Sequence, residues 1–594
     1  MYIFGDFIKN YLLFLFFIIG LFNSCDNKII KTETDKLHQF FSEEWENGLI
    51  NNPESATWYG DDRFNNLLND RSIEKLISNH GNNISSLKNL VQIKRSQLDE
   101  NNQLNYDLYK QDLKTTIEGY EYKNFLIPIT QLGGVQIDLP NMVELMPFNN
   151  TKDFHNYFSR MRAIPTAIEQ TINVMKRGIK ENIMPPKVTI EKVSTQIKKQ
   201  TEIPYDESPF YTPYLNIDLN ISNALKDSLK QIGKLLIYEQ IIPAYQKLNS
   251  FFLEEYYPNA RDDYAITSIP NGGKYYNYLV KYHTTTDKTP KEIHQIGKDE
   301  VNRIRKEMDE IILTLNFDGE FSDFLNFLRT SPEFYYDKPE DLLNGYRAIC
   351  KRVDPELASF FGKLPRIPYG VKPIPEYQAM SSPTAYYYGA SADGKRPGYF
   401  WANTYNLKMR PKYEMAVLAI HEAVPGHHLQ ISLANEMEDV PTFRKHSGHT
   451  AFIEGWGLYS ESLGDEMGIY DTPYSKFGQL TYEMWRACRL VVDTGIHAFG
   501  WSRIKSIQYM SDNTAKTIFD IENEIDRYIA WPGQALAYKI GELKIKEIRK
   551  NAENILGDEF DIREFHDKLL ESGSLPLDIL ENKMAKYIRD KSKL

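Results

Sequence analysis

The chain has 594 residues, 42% of them hydrophobic and 25% charged, a balance that excludes disordered and collagen-like proteins. Its length calls for one large domain or two fused lobes. Lys and Arg number 70 against 81 Asp and Glu, and the resulting −11 without any basic block argues against nucleic-acid binding. Three cysteines, Cys25, Cys350 and Cys488, support neither a disulfide framework nor a thiolate zinc site.

Tyr11 to Phe22 reads YLLFLFFIIGLF and leads into Asn23-Ser24-Cys25. At about 1.5 Å per residue this run is too short to cross about 30 Å of hydrocarbon, so it reads as an export signal and not as a membrane span. Ser24-Cys25 followed by polar Asp26-Asn27-Lys28 resembles a bacterial lipoprotein signal. The expectation is cleavage after residue 24, a lipid on Cys25 and an exported protein anchored at the cell envelope. Removing residues 1–24 takes away Asp6 and Lys9, so the mature chain keeps its −11. Residues 25–36 read as a polar tether and 37–594 as the folded part.

From Leu37 onward apolar residues recur at three- and four-residue spacing, most clearly over 222–256, 291–315, 412–437, 476–498 and 533–551. Thr289-Pro290-Lys291-Glu292 opens one such stretch with a capping box and a proline at the first helical position. Breaks near 131–148, 257–275 and 364–398 read as loops. The best strand is Gly398–Thr404, aromatic-rich and following Pro397. The predicted fold is mostly α, with a small β element just before the histidine-bearing helix and a central cleft.

Five of the twelve histidines fall between 421 and 449: His421, His427, His428, His446 and His449. The core of the cluster is HEAVPGHHLQ, residues 421–430, at the end of the apolar run 415–420. A metal-binding HExxH helix presents two ligands four residues apart, with Glu as general base. Here Pro425 stands where the second ligand belongs. On a straight helix His427 lies about 240° round from His421, and His428 lies about 10.5 Å farther along the axis, so neither pair closes on one ion. Pro425 must bulge or break the helix, and Gly426 permits an unusual backbone there. A two-residue bulge between Glu422 and His427 restores the relation. That argument prefers His427 as second ligand, with His428 as the alternative.

A third ligand is available in AFIEGWGLYSE, residues 451–461, where Glu454 stands in an apolar, aromatic run that is costly for an unpaired carboxylate. Two His and one Glu with an open position make a catalytic zinc set, with one Zn2+ per chain expected. Glu422 would act as the base and Glu461 as a hydrogen-bond partner of a ligand histidine. Downstream, Arg486, Arg489, Asp493 and His497 form one polar stripe on an apolar helix. The stripe offers His497 as an oxyanion donor and the two arginines as anion anchors, or else a buried structural network. A further helix is expected to begin at Pro532, with Gln534 and Tyr538 on one face. His446 and His449 read as loop residues, and His38, His80 and His294 as surface residues.

The blocks HEAVPGHHLQ, FIEGWGLYSE, RLVVDTGIH and RYIAWPGQALAYKIG resemble those of an uncharacterised bacterial DUF family that carries an HEAxPGH motif. That family is in turn similar to the helical gluzincin metallopeptidases of the thimet oligopeptidase, Taq carboxypeptidase and angiotensin-converting enzyme groups. The resemblance implies a Glu third ligand on the next helix, matched by Glu454, and a late Tyr that donates to the oxyanion, matched by Tyr538. It also implies that Gly398–Thr404 is an edge strand against which an extended peptide pairs, with Tyr399 and Trp401 touching substrate.

The expected activity is zinc-dependent hydrolysis of peptide bonds. The same ligand set would serve a hydrolase of another amide or an ester. A non-enzymatic binding lipoprotein with a structural or lost metal site is the remaining class, and Glu422 beside a ligand argues against it.

Overall fold

A computed structural model describes residues 32–375, 379, 382–390 and 396–593. The export signal, Cys25 and all but the end of the tether lie outside these residues. The first helix, α1 (Glu33–Asn51), begins inside the stretch expected to be tether, because Thr32 and Asp35 close a capping box around its first turn. α2 (Glu100–Tyr120) and α3 (Thr151–Glu181) follow.

α3 shows why this sequence is helical. Phe154, Tyr157, Phe158, Met161, Ile164, Ile168, Ile172 and Met175 recur every three or four residues, and all are buried. They pack with Leu229, Leu236, Tyr245 and Leu248 into a core that draws only on residues 129–260. Two other cores take in residues of the histidine segment, Ile420, Val424 and Leu429 in one and Ala419 and Ala423 in the other.

α4 (Gly272–Thr284) and α5 (Pro290–Thr314) come next. The capping box of Thr289 and Glu292 and the leading Pro290 are in place at the start of α5, as the sequence predicts. Three short strands form one sheet, ordered β1 (Tyr369–Pro373), β3 (Gly398–Ala402), β2 (Ala385–Tyr388). β3 pairs parallel with β1 and antiparallel with β2, so the strand expected at the edge is the central one. β1 and β2 lie in the segment read as a loop. Each has only four or five residues, with Gly370 and Pro373 in β1, too short and too interrupted to show alternation.

α6 (Met415–Glu422) and α7 (His427–Asn435) are the two halves of the histidine segment, and every residue of α6 is buried. They are followed by α8 (Thr450–Glu466), α9 (Pro473–Phe499), α10 (Ile518–Ala530), α11 (Ala537–Leu556) and α12 (Leu577–Lys591). α9 is the axis of this half of the molecule: every residue from Phe477 to His497 is buried. α11 starts five residues after Pro532, because a short 3-10 turn over Gln534–Leu536 intervenes. Among the described residues no helix is long and apolar enough to cross a membrane.

Two glycine contacts set the helix spacing. A β-carbon on Gly297 of α5 would lie 2.7 Å from the Leu490 side chain of α9. A β-carbon on Gly455 of α8 would lie 2.6 Å from Gly541 Cα of α11, and one on Gly541 would collide with the Ala451 carbonyl oxygen. α8 and α11 run parallel, since Arg549, farther along α11, bonds the Tyr459 hydroxyl (3.2 Å) and Glu466 (2.7 Å). Backbone against backbone leaves no side chain that can give way. Gly541→Ala is therefore expected to cost about 1–3 kcal/mol of stability, as overpacking does. Gly273→Ala in α4, where a β-carbon meets nothing within 4 Å, is the control. Urea denaturation of the two variants checks this, and equal midpoints would refute it.

Candidate metal centre

The chain solves the spacing problem of HEAVPGHH by leaving the helix after Glu422. Ala423 N–H still bonds the Ala419 carbonyl, the Val424–Pro425 peptide is cis, and Gly426 N–H reaches back six residues to the Ile420 carbonyl (3.0 Å). His428 N–H bonds the Ala423 carbonyl (3.1 Å) and α7 resumes. A β-carbon on Gly426 would fall far inside contact with the His421 carbonyl oxygen, so only glycine fits there. The excursion is clamped from α8, where the fully buried Trp456 donates its indole N–H to the Pro425 carbonyl (2.8 Å).

The result brings His421 and His427 ring to ring, with centroids 4.6 Å apart. Glu454 Oε2 lies 3.7 Å from His421 Nε2 and 3.6 Å from His427 Nε2. The three ligand atoms all lie within 4.8 Å of one another. Tetrahedral zinc at about 2.0–2.1 Å from each donor needs donors about 3.3 Å apart, so the set fits that ion with little movement. His428 points elsewhere. Its Nδ1 lies 2.9 Å from the Tyr387 hydroxyl of β2, so it ties the sheet to α7. Among the described residues no fourth protein ligand joins the cluster.

α8 supplies the rest of the setting. Gly457 lies under the His421 ring, where a β-carbon would sit 2.7 Å from Cε1. One turn on, the fully buried Glu461 accepts from His421 Nδ1 (2.7 Å), which turns Nε2 toward Glu454 as the nitrogen that would hold an ion. Burial alone would lower the His421 pKa, but Glu454 and Glu461 outweigh it and hold the ring up at about 10 while no ion is bound. Burial likewise works against Glu454, yet the two histidines hold its carboxyl well below the usual range. These atoms form a deep anionic seat, the kind of place a dication replaces protons. Glu422, next to His421, is buried, and it makes no hydrogen bond or ion pair among the described residues.

Of the two readings of the α9 stripe, substrate contacts or a buried network, the packing favours the network. Arg486 lies 3.5 Å from Glu461 and over the Tyr482 ring, so it supports the histidine-orienting carboxylate and is not an anion anchor. Arg489 pairs with Glu524 (2.9 Å), bonds the Tyr528 hydroxyl (2.8 Å) and stacks on the Tyr538 ring. Asp493 accepts from the Tyr276 hydroxyl (2.6 Å) and from Gly533 N–H (3.0 Å). His497 accepts from Ile266 N–H (3.1 Å) at Nδ1 and donates to the Tyr528 carbonyl (3.0 Å) at Nε2. With both nitrogens engaged and the ring fully buried, His497 has nothing to offer an oxyanion. A helix buried on all sides must satisfy its polar groups internally, and that explains the stripe.

Gln534 and Tyr538 do meet, Gln534 Nε2 donating to the Tyr538 hydroxyl (3.4 Å) while Gln534 Oε1 accepts from Arg527 (2.8 Å). Tyr538 lies one turn from Gly541, the residue that touches the helix of Glu454. Tyr399 and Trp401 lie on the half-buried face of central β3, Tyr399 under Lys372 and Trp401 stacked with Tyr386, so no peptide can pair with their strand. His446 stacks on Trp45, and His294, expected at the surface, is buried and bonds Thr494 (2.8 Å). Trp456, Gly457 and Tyr387 went unnoticed in the sequence. The small-residue spacing Gly455-Trp456-Gly457 beside Glu454 was the available signal for the first two.

A model of bacterial proteins of unknown function matches residues 53–584, a span that contains every residue of the metal cluster and Tyr538. The chain belongs to the DUF885 family. Two solved structures, each described as a "putative lipoprotein", are similar to this DUF885 chain. That from Colwellia psychrerythraea has 29% identity and a TM-score of 0.88, with 94% of this chain and 100% of that one covered. That from Shewanella oneidensis, described as of unknown function, has 18% identity and a TM-score of 0.72, with 92% and 99% covered. No curated protein matches.

Zinc is expected to bind this DUF885 chain at one ion per chain. Glu454→Gln should abolish that binding and Glu461→Gln should weaken it about 10–100-fold, whereas His428→Ala should leave it in place. Competition against a chromophoric chelator reads all three, and strong binding by Glu454→Gln would reject the ligand set.

Proposed function

We propose that this protein is a zinc-dependent metallopeptidase, exported and held at the cell envelope by a lipid on Cys25. The observation that carries the reading is the convergence of His421, His427 and Glu454 beside an unpartnered Glu422. Three protein ligands leave a coordination position open, which favours a catalytic site over a structural one. The likeness of HEAVPGHHLQ and FIEGWGLYSE to the helical gluzincins supports peptide as the substrate. The likeness to the Colwellia psychrerythraea protein, described as a "putative lipoprotein", supports the anchor.

A zinc ion bound there supplies Lewis acidity and makes water acidic enough to attack near neutral pH. Glu422 takes the proton of the attacking water and passes it to the leaving nitrogen. Glu461, braced by Arg486, fixes the His421 ring so that Nε2 would be one of the atoms holding the ion. Tyr538 accepts from Gln534, which leaves its own phenolic proton free to donate to the carbonyl oxygen as that oxygen becomes negative. The same machinery would hydrolyse a non-peptide amide or an ester, and the substrate screen below separates these readings.

Glu422→Gln is expected to keep its zinc and lose about 10²–10⁴-fold in turnover, the range of a general base. Cleavage of a mixed peptide library by wild type and variant, followed by mass spectrometry, tests this. Unchanged cleavage by Glu422→Gln would remove the mechanism, and hydrolysis of esters alone would change the substrate class. Separately, Cys25→Ser should move the protein from the membrane fraction to the soluble fraction and stop incorporation of labelled fatty acid. Labelled fatty acid in that variant would disprove the anchor.

A further inference from the structure

A cleft of about 1000 Å³ opens between α2, α4, the start of α8 and the start of α12. That is the upper end of the size range of ligand sites. Its walls include His449 and Thr450, and Thr450 stands four residues before Glu454 on the same side of α8. Four residues are about 6 Å of helix, so the metal ligand lies one turn beyond the cleft wall. From the cleft, the aromatic rings of α4 lead toward the turn that precedes α11. Tyr282 packs on His283 (4.9 Å between centroids), which faces Trp531 and touches the turn at Gly533.

The ions of this cleft are mostly spoken for. Lys281 pairs with Asp287 (2.7 Å), and Lys544 pairs with Glu547 and Glu581 (2.9 and 3.2 Å). Lys114 and Lys288 are exposed at the rim. Of the acidic side chains in the wall only Asp107 and Asp112 are half-buried, and Asp107 is spent on Arg95 (2.6 Å). Asp112 makes no hydrogen bond or ion pair among the described residues. Burial pushes its carboxyl up to about 6, the mark of a carboxylate that lacks a cation. Tyr282, on the cleft wall, feels that charge: burial first and Asp112 second push its phenol up. Tyr282 is 51% exposed, and its ring stacks with Tyr278 at 5.9 Å. His449 on the opposite wall adds no positive charge, because burial, aided by Arg444, lowers its imidazole to about 4.

We propose that Asp112, beside Tyr282 on the cleft wall, is a binding site for a ligand's ammonium group. A carboxylate for the charge and an exposed aromatic ring for the cation are the two contacts such a group seeks, and Tyr282 supplies the ring. Resting on the peptidase reading, the cleft then holds the basic part of the peptide whose scissile bond lies at the metal centre. Two parts of a peptide carry this chemistry, the free N-terminus and a lysine side chain.

Calorimetric titration of chelator-treated protein with short peptides tests the site without turnover, so its outcome is independent of the hydrolase reading. The set is a lysine peptide, its norleucine counterpart and the N-acetylated form of each. The cationic peptides are expected to bind about tenfold or more tightly than the doubly neutral one, the size of a charge-assisted hydrogen bond. Loss on acetylation assigns the N-terminal amine, and loss on replacement by norleucine assigns the side chain. Asp112→Asn should erase the discrimination, Tyr282→Leu at an exposed position should reduce it, and Asp578→Asn at the rim should leave it intact. Equal binding of charged and neutral peptides by the wild type, no binding at all, or full discrimination in both Asp112→Asn and Tyr282→Leu, would overturn the proposal.

Discussion

There is no room for a side chain at residue 426, because a β-carbon there would collide with the carbonyl oxygen of His421. That close approach is what a six-residue step between two metal ligands demands. A regular helix presents ligands four apart, and the two extra residues must leave the cylinder and come back within a few ångströms. Pro425 ends the hydrogen-bond ladder, Gly426 allows the backbone to fold against it, and Trp456 holds the excursion from outside. His421 and His427 converge only because these three residues act together. Removing any one of them would separate the ligands without touching a ligand.

α8 is the second organising element. It carries Glu454, Gly457 and Glu461 on one side and Trp456 on another, and so supplies a ligand, a seat, an orienting carboxylate and a clamp within about two turns. Its other side is locked to α11 through Gly455 and Gly541. The two helices approach at backbone distance, so the helix of Tyr538 and the helix of Glu454 behave as one rigid body. Rigid supporting elements of this kind are what hold a reacting constellation to the tolerance that chemistry needs.

The helices were legible because α5, α9 and α11 repeat apolar residues at helical spacing, and the start of α5 because Thr289-Pro290-Lys291-Glu292 spells a cap. The metal cluster was legible because histidines, a proline out of place and a carboxylate in an apolar run are each costly unless they serve one purpose. The sheet was not. Gly398–Ala402 reads as a strand on its own, but its neighbours β1 and β2 are too short to announce themselves, so its central place stayed hidden. The α9 stripe stayed ambiguous for a related reason. Periodicity says that Arg486, Arg489, Asp493 and His497 share a face, and it is silent on whether that face meets solvent, substrate or other protein. Only the packing of α8, α10 and the Gly533 turn around α9 shows the groups spent on one another.

Asp493 in that stripe carries a cost of its own. It is fully buried, and despite the hydrogen bonds from Tyr276 and Gly533, burial raises its carboxyl to about 7. An aspartate that binds its proton more tightly when folded than when unfolded favours the folded state most at low pH. Its contribution is complete below the ordinary aspartate range and drains away as the pH climbs through about 7. The anchor of the turn that leads to Tyr538 is thus an acid-tolerant joint, firmest in mildly acidic surroundings and weakest in alkaline ones.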